Sequence, residues 1–342
     1  MSNVYLVTGG AGFIGSHMVD LLLECSNNLH DKIICIDDLH IGSNICNLPS
    51  NENEDLYKHY TFYKEDISNF EQLEFYFKNY NFTHIIHMAA ESHVDRSIDN
   101  SNPFIQSNII GTYNILECVR KYCPNAKMVY VSTDEVYGQL KTKYESGFIE
   151  ASKLDPRSPY AASKACGDLL VNAWRETYNL DIITTRCCNN YGPRQHSEKF
   201  IPTVLRSLLN GKKIPVYGNG ENIREWIHVR DHCDAIWEIL HKKKHDTKVY
   251  NIAQQNPNTY SNLELVKILV HLCYTKKLIY SYLPEDYIEF VEDRKGHDFC
   301  YKIDSSFSWQ LESLKKSRNF TIGLMETIDF YVEKEKELDY NI

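Results

Sequence analysis

Short apolar runs and helical stripes alternate along the first half of the chain. Runs of β-branched and aromatic residues at 3–8, 32–37, 60–65, 83–88 and 126–132 predict strands. Between several of them, apolar positions recur at helical spacing over 13–25, 69–79 and 104–122. This alternation predicts a parallel sheet covered by helices. A longer helix is predicted over 159–178, with Ser158 as its N-cap and Pro159 at its first position. A strand is predicted over 181–187.

After Gly192-Pro193 the pattern changes. A helix over 200–210 leads into the turn Gly218-Asn219-Gly220, and helix 231–241 and strand 248–252 read again as core elements. The remainder is mixed and turn-rich, without repeats or a low-complexity linker. The expected fold class is α/β: a Rossmann-type doubly wound parallel sheet with a smaller mixed α/β lobe. The sheet domain is expected to hold 1–191 with 225–253 returning to it, and the lobe 192–224 and 254–342.

Of the 342 residues, 43% are hydrophobic and 24% charged, an ordinary globular balance. No apolar run approaches the roughly eighteen residues that span a bilayer. Val4-Tyr5-Leu6-Val7 begins the first strand almost at once, leaving no room for a signal peptide. The formal charge of −9 gives no general attraction for nucleic acid or anionic membrane, so any bound diphosphate needs local cations. Lys242-Lys243-Lys244, the one evident basic cluster, reads as a solvated helix end. Eleven cysteines include no CxxC pair, and adjacent Cys187 and Cys188 suit neither a zinc site nor a disulfide framework. Reduced thiols and a cytoplasmic location are expected, with no metal site.

Gly9, Gly12 and Gly15 follow the first strand and open the first helix. Glycines there permit a tight turn and let backbone N–H groups approach a pyrophosphate, whose charge the helix N-terminus favours. Any tight strand-to-helix turn can use glycine, but here a second signal agrees. Asp37 ends the second strand, twenty-two residues after Gly15, where an acid accepts from a ribose 2′-OH and repels a 2′-phosphate. A dinucleotide site for NAD rather than NADP follows, with Asp38 able to share the role.

Tyr160 and Lys164 lie four apart at the capped helix start and share a face. A tyrosine base needs its pKa lowered from about 10 by roughly three units, or ~4 kcal/mol, which an ammonium and an oxidised nicotinamide can largely supply. The same spacing recurs at Tyr60/Lys64, inside a strand pattern, and at Tyr137/Lys141, in a loop. Only the 160/164 pair follows a strand ending in Ser132-Thr133. The plainer reading is a surface tyrosine beside a solvated lysine. Thr133 can polarise a substrate hydroxyl, and Asp134 and Glu135 bring two carboxyls to the carboxyl end of a strand, where parallel-sheet proteins place ligand chemistry. Unlike surroundings can make one an acid and the other a base. An acid pair stabilised by a helix N-terminus explains them equally well.

Several strings in order over 4–304 resemble the dTDP-glucose 4,6-dehydratase family, within the extended short-chain dehydrogenase/reductases. They are Thr8–Ser16, His87–Ser97, Ser132–Gly138, Ser158–Lys164, Asn189–Pro193, Glu198–Pro202, Ile223–Trp226 and Asp293–Asp298. The Thr133-Asp134-Glu135 triplet is the specific part. The resemblance implies a nucleoside-diphosphate-glucose substrate on dTDP or UDP, bound NAD, no metal, and a place in deoxysugar biosynthesis such as that of rhamnose. It implies that Tyr160 takes the 4-OH proton, Glu135 the C5 proton, and that Asp134 protonates the departing C6 hydroxyl.

The resemblance further implies cofactor contacts at Phe13, Ile14, Asp66, Ile67, Met88, Ala89, Ala90, Ser107 and Asn190. It implies nucleotide-sugar contacts at Ser92, Asn189, Lys199, Arg224, Asn251, Arg294 and His297, and a homodimer packed through 104–122 and 159–178. Asp38 stands where the family usually has Lys, and Arg194–Ser197 departs from the commoner segment. The alternatives are a 4-epimerase or decarboxylase of the same superfamily, against which the Asp-Glu pair argues, and a non-catalytic NAD-sensing protein, which has no need of an acid/base array.

Overall fold

The computed structural model describes residues 2–25, 31–49, 59–255 and 257–339. The strands are β1 (Val4–Thr8), β2 (Lys32–Asp37), β3 (Tyr60–Lys64), β4 (His84–His87), β5 (Lys127–Thr133), β6 (Ile182–Cys187), β7 (Asn189–Tyr191), β8 (Ile214–Tyr217), β9 (Ile223–His228), β10 (Val249–Ile252), β11 (Asn258–Ser261) and β12 (Ile288–Val291). The helices are α1 (Phe13–Cys25), α2 (Phe70–Asn79), α3 (Val94–Asp99), the single turn α4 (Asn102–Phe104), α5 (Thr112–Tyr122), α6 (Pro159–Tyr178), α7 (Phe200–Leu209), α8 (Val229–His241), α9 (Asn262–Thr275), the short α10 (Glu312–Lys315) and α11 (Phe320–Asp339).

Seven strands form one sheet in the order β10-β6-β5-β4-β1-β2-β3, with every neighbour parallel. Strand order reverses between β1 and β4, and a doubly wound sheet opens its ligand crevice at such a point. Helices cover both faces, so the central strands are buried throughout: Leu6, Val7, Ile34, Cys35, Ile85 and Ile86 are at most 1% exposed. Burying each such aliphatic side chain stabilises by about 1.5–3 kcal/mol. The expected α/β doubly wound class is therefore the observed one.

The smaller lobe has two sheets of its own. In one, β9 pairs parallel with β7 and antiparallel with β11; in the other, β8 and β12 run parallel. Its core gathers α7, β8, α9 and α11 around Trp226 and Tyr191. Because β7 and β9 belong to this sheet, the expected bounds at 191 and 225 fall within its strands. Parts of the expected spans, at residues 1, 26–30, 50–58, 256 and 340–342, lie outside the described residues.

Local sequence explains the helix that matters most to the site. The Ser158 side chain accepts from Ala161 N, Pro159 sits in the first turn, and Asn179 ends α6 in the left-handed conformation. The helix expected over 104–122 is instead three pieces: α4, a π-helical stretch Ile105–Gly111, and α5. Thr112 Oγ1 donates back to Asn108 O at 2.8 Å within it. Among the described residues no helix is long and apolar enough to cross a membrane.

Candidate active site

One cleft of about 1600 Å³, counting its open mouth, runs along the carboxyl ends of the central strands. The glycine turn lies at one end, with Gly9, Gly12, Phe13, Ile14 and Gly15 in its wall. Gly9 takes φ +74° where a Cβ would come within 2.7 Å of the Ala89 backbone. At Gly15 a Cβ would sit 2.0 Å from Gly9 O. Backbone therefore packs against backbone at the start of α1, leaving the close approach that a pyrophosphate requires.

Asp37, buried at the end of β2, accepts from Ala11 N at 3.0 Å and Leu39 N at 2.8 Å. Burial raises its pKa against these hydrogen bonds. Asp38 is exposed and accepts from His40 N at 3.0 Å. Both line the cleft, as do Asp66, Ile67, Met88, Ala89, Ala90 and Ser107. Asn190 lines it too, although its amide donates to Cys188 O and its oxygen meets His232 Nδ1. The glycine cradle beside the strand switch point and the acid that ends β2 fit a dinucleotide.

The other end of the cleft holds Thr133, Asp134, Glu135, Tyr160 and Lys164 together. Thr133 ends β5 and caps a short 3-10 turn: its hydroxyl accepts from Glu135 N at 3.3 Å and donates to Asp134 Oδ1 at 3.2 Å. Asp134 Oδ2 is buried without a hydrogen-bond partner. Burial, then the charges of Glu135 and Glu225, hold the Asp134 carboxyl well above the usual range. The neighbouring Glu135 is also raised by burial, but Arg294, Arg224 and Lys199 pull it back down. The two acids are thus biased apart, with Asp134 the proton holder and Glu135 the easier to ionise.

The phenol of Tyr160 departs from expectation. Burial and the charge of Glu135 push its pKa well above 10, with the Thr133 hydroxyl acting the other way. Lys164 Nζ donates to Val131 O at 2.8 Å and lies 4.5 Å from the Tyr130 ring centre, and burial lowers its pKa to about 8. The Tyr160/Lys164 spacing pointed to this ammonium acting on the phenol together with a cofactor charge; the ammonium donates to the backbone instead.

Among the expected nucleotide-sugar residues, Ser92, Asn189 and Lys199 line the cleft, and Lys199 Nζ donates to Ser92 O at 2.6 Å. Arg224 and Arg294 are not in its wall and act on Glu135 through charge. The Arg224 guanidinium bonds the carbonyls of Ile223 and Asp298 and lies 4.2 Å from the centre of the Tyr301 ring. His297 Nδ1 is tied to Asp293 Oδ1 at 2.6 Å. Asn251 is not brought to the cleft. It is fully buried at the sheet edge, its amide donating to Phe148 O and Asp304 O and its oxygen accepting from Tyr137.

Sequence reasoning missed three neighbours. Tyr301 OH donates to Asp298 Oδ2 at 2.6 Å and lies 3.5 Å from Glu135 Oε2. Arg96 lines the cleft with two guanidinium nitrogens lacking partners. Glu225, fully buried beside Arg224, faces Asp134. Arg96 and Glu225 stood inside quoted strings; Tyr301 carried no signal.

A family model described as GDP-mannose 4,6 dehydratase matches residues 6–305. The chain is 40% identical to a dTDP-glucose 4,6-dehydratase of Haemophilus influenzae, covering 97% of this chain and 98% of the relative. It is 39% identical to one of Escherichia coli, covering 97% and 94%. Among solved structures, dTDP-glucose 4,6-dehydratase of Streptomyces venezuelae with NAD and TYD bound superposes with TM-score 0.86 at 38% identity, covering 96% and 97%. That of Bacillus anthracis in complex with NAD gives 0.84 at 40%, covering 98% of each chain. A UDP-glucose 4-epimerase of Thermotoga maritima shares the fold, with TM-score 0.83 at 25% identity over 97% and 99%.

Proposed function

The chain belongs to the dTDP-glucose 4,6-dehydratase family, NAD-dependent hydro-lyases of nucleotide sugars, and from that premise we propose which residues carry the reaction and on which substrate. The enzyme converts a nucleoside-diphosphate-glucose to its 4-keto-6-deoxy derivative, and dTDP-glucose is its substrate in this reading. NAD, when bound, takes up and returns the hydride equivalent, so the net change is loss of one water. Every proton movement falls to the protein.

Tyr160 accepts the 4-OH proton, with Thr133 hydrogen-bonded to the same oxygen. With Lys164 engaged at the backbone, the positive charge needed to lower the phenol must come largely from the cofactor. Once C4 is a ketone, the C5 hydrogen is acidic and Glu135 removes it. Asp134 gives its proton to the C6 hydroxyl, which leaves as water; Glu135 then returns a proton to C5. The observation that carries this assignment is the buried Asp134 carboxyl, its Oδ2 unpartnered, beside a Glu135 that three cations favour as carboxylate.

Ser92, Asn189 and Lys199 hold the nucleotide sugar, helped by Arg224, Arg294 and His297 from the smaller lobe. The cofactor lies along Gly9–Gly15, Asp37 and Ala89. A homodimer is part of the reading, supported by exposed Ile105, Ile110, Tyr113 and Leu169 on the helices expected to pair; sedimentation checks it. A cytoplasmic setting is supported by eleven free cysteines. Incubation with dTDP-glucose or UDP-glucose and NAD tests the whole. Faster formation of a product one water lighter is expected from dTDP-glucose, whereas a product of unchanged mass would mark an epimerase.

A further inference from the structure

The strand order β2-β1-β4 sends the loops after β2 and β4 out on either side of the glycine turn that follows β1. Both loops line the cleft, through Asp38, His40, Ile41 and Ser43 on one side and Ala89, Ala90, Glu91 and Ser92 on the other. One side-chain contact joins them: His40 Nδ1 donates to Glu91 Oε1. Since β1 lies between β2 and β4, this contact crosses the end of β1, where the dinucleotide enters its cradle.

The two partners are anchored differently. The Glu91 backbone is held from both sides by one amide. Its N–H donates to Asn108 Oδ1 at 2.8 Å, and its carbonyl accepts from Asn108 Nδ2 at 3.0 Å. Asn108 is itself buried in the π-helical stretch and donates to Ser163 on α6. The His40 side chain is 52% exposed. It stands on a turn closed by Ser43 N donating to His40 O, between Leu39 at φ +58° and Gly42 at φ +101°. A fixed post thus meets an arm on the solvent side.

We propose that His40 and Glu91 form a strap across the cofactor cleft that retains NAD from one turnover to the next. The inference rests on reading this cleft as the NAD site. The chemistry gives retention a purpose: the hydride equivalent leaves the sugar and returns to it, so no step requires cofactor exchange. The strap acts on release and leaves the proton transfers at Asp134, Glu135 and Tyr160 alone.

A label chase tests it. Protein loaded with radiolabelled NAD is diluted into excess unlabelled NAD, and retained label is followed over time. Losing one contact at a half-exposed side chain predicts roughly two- to fivefold faster release for His40→Ala and for Glu91→Gln. The double variant should release no faster than the quicker single, because one contact is removed in each case. His40→Lys restores a side-chain N–H donor at this position and should recover slow release. His40→Ala losing label at the wild-type rate would overturn the strap, and this exposed substitution leaves the fold intact. Wild-type protein that takes up no label would instead overturn the cofactor assignment on which the strap rests.

Discussion

The glycine turn and the acid–base pair stand at opposite ends of one cleft and are built in opposite ways. The turn is local: the atoms that forbid a side chain at Gly15 belong to Gly9 and Gly10. The acids are adjacent in sequence; burial raises both, and residues far along the chain then shift them by charge. Glu225 and Arg224 act on Asp134, and Arg294, Arg224 and Lys199 act on Glu135. The shape of a phosphate cradle is thus written in a few consecutive residues. The division of labour between two carboxyls is written by the smaller lobe folding over them.

Substitutions at the two ends should therefore fail differently. Asp134→Asn should have the largest effect, lowering dehydration roughly a hundred- to ten-thousandfold while NAD affinity stays unchanged, as turnover and calorimetric titration would report. Glu225→Gln probes the remote control. Burial raises its carboxyl from 4.5 to about 7. Between those values the native state holds a proton the unfolded chain has released, so the group's stabilisation is complete below 4.5 and is lost as pH rises through 7. The variant should gain up to about 3 kcal/mol on wild type across that window, measured by urea unfolding at its two ends.

Gly15→Ala attacks the local end. Its Cβ would meet the Gly9 carbonyl at 2.0 Å, and overpacking of this kind costs roughly 1–3 kcal/mol. NAD affinity should fall with it, while the pH dependence of whatever activity remains should match wild type. A shifted pH profile would mean the two ends are not independent. Thr133→Val should do least to stability, about 1 kcal/mol from a lost cap, seen as a small drop in Tm.

The same contrast explains what the sequence made legible. Strands β1, β2, β5 and β6 lie within a residue or so of their expected positions, because buried parallel strands read as continuous apolar runs. Helix α6 announced itself through Ser158 and Pro159. The interruption at Ile105–Gly111 did not, since its causes are tertiary. Gly111 packs where a Cβ would touch Ile67 at 2.5 Å, and the Asn108 amide is taken by Glu91 and Ser163. Strands β7, β8, β11 and β12 have three or four residues each, too short for a period to register.

At the site, the sequence brought Thr133, Asp134, Glu135, Tyr160 and Lys164 to one place but misjudged their electrostatics. The four-residue spacing of Tyr160 and Lys164 suggested an ammonium lowering a phenol; the fold turns Lys164 Nζ to Val131 O and buries the phenol. Asn251 was expected at the nucleotide sugar through the resemblance alone, and its side chain is consumed at the sheet edge. Tyr301 reaches Glu135 from 166 residues away, through the small lobe alone.

The account turns on Glu135 as the group that takes and returns the C5 proton. Its most direct test is the mass spectrum of the sugar nucleotide after incubating dTDP-glucose with NAD and enzyme in deuterium oxide. Wild type should yield a product one water lighter with deuterium at C5, and Glu135→Gln, with NAD still bound, should leave the C5 hydrogen in place and form no such product. Formation of the C5-deuterated 4-keto-6-deoxy sugar by Glu135→Gln at the wild-type rate would contradict it.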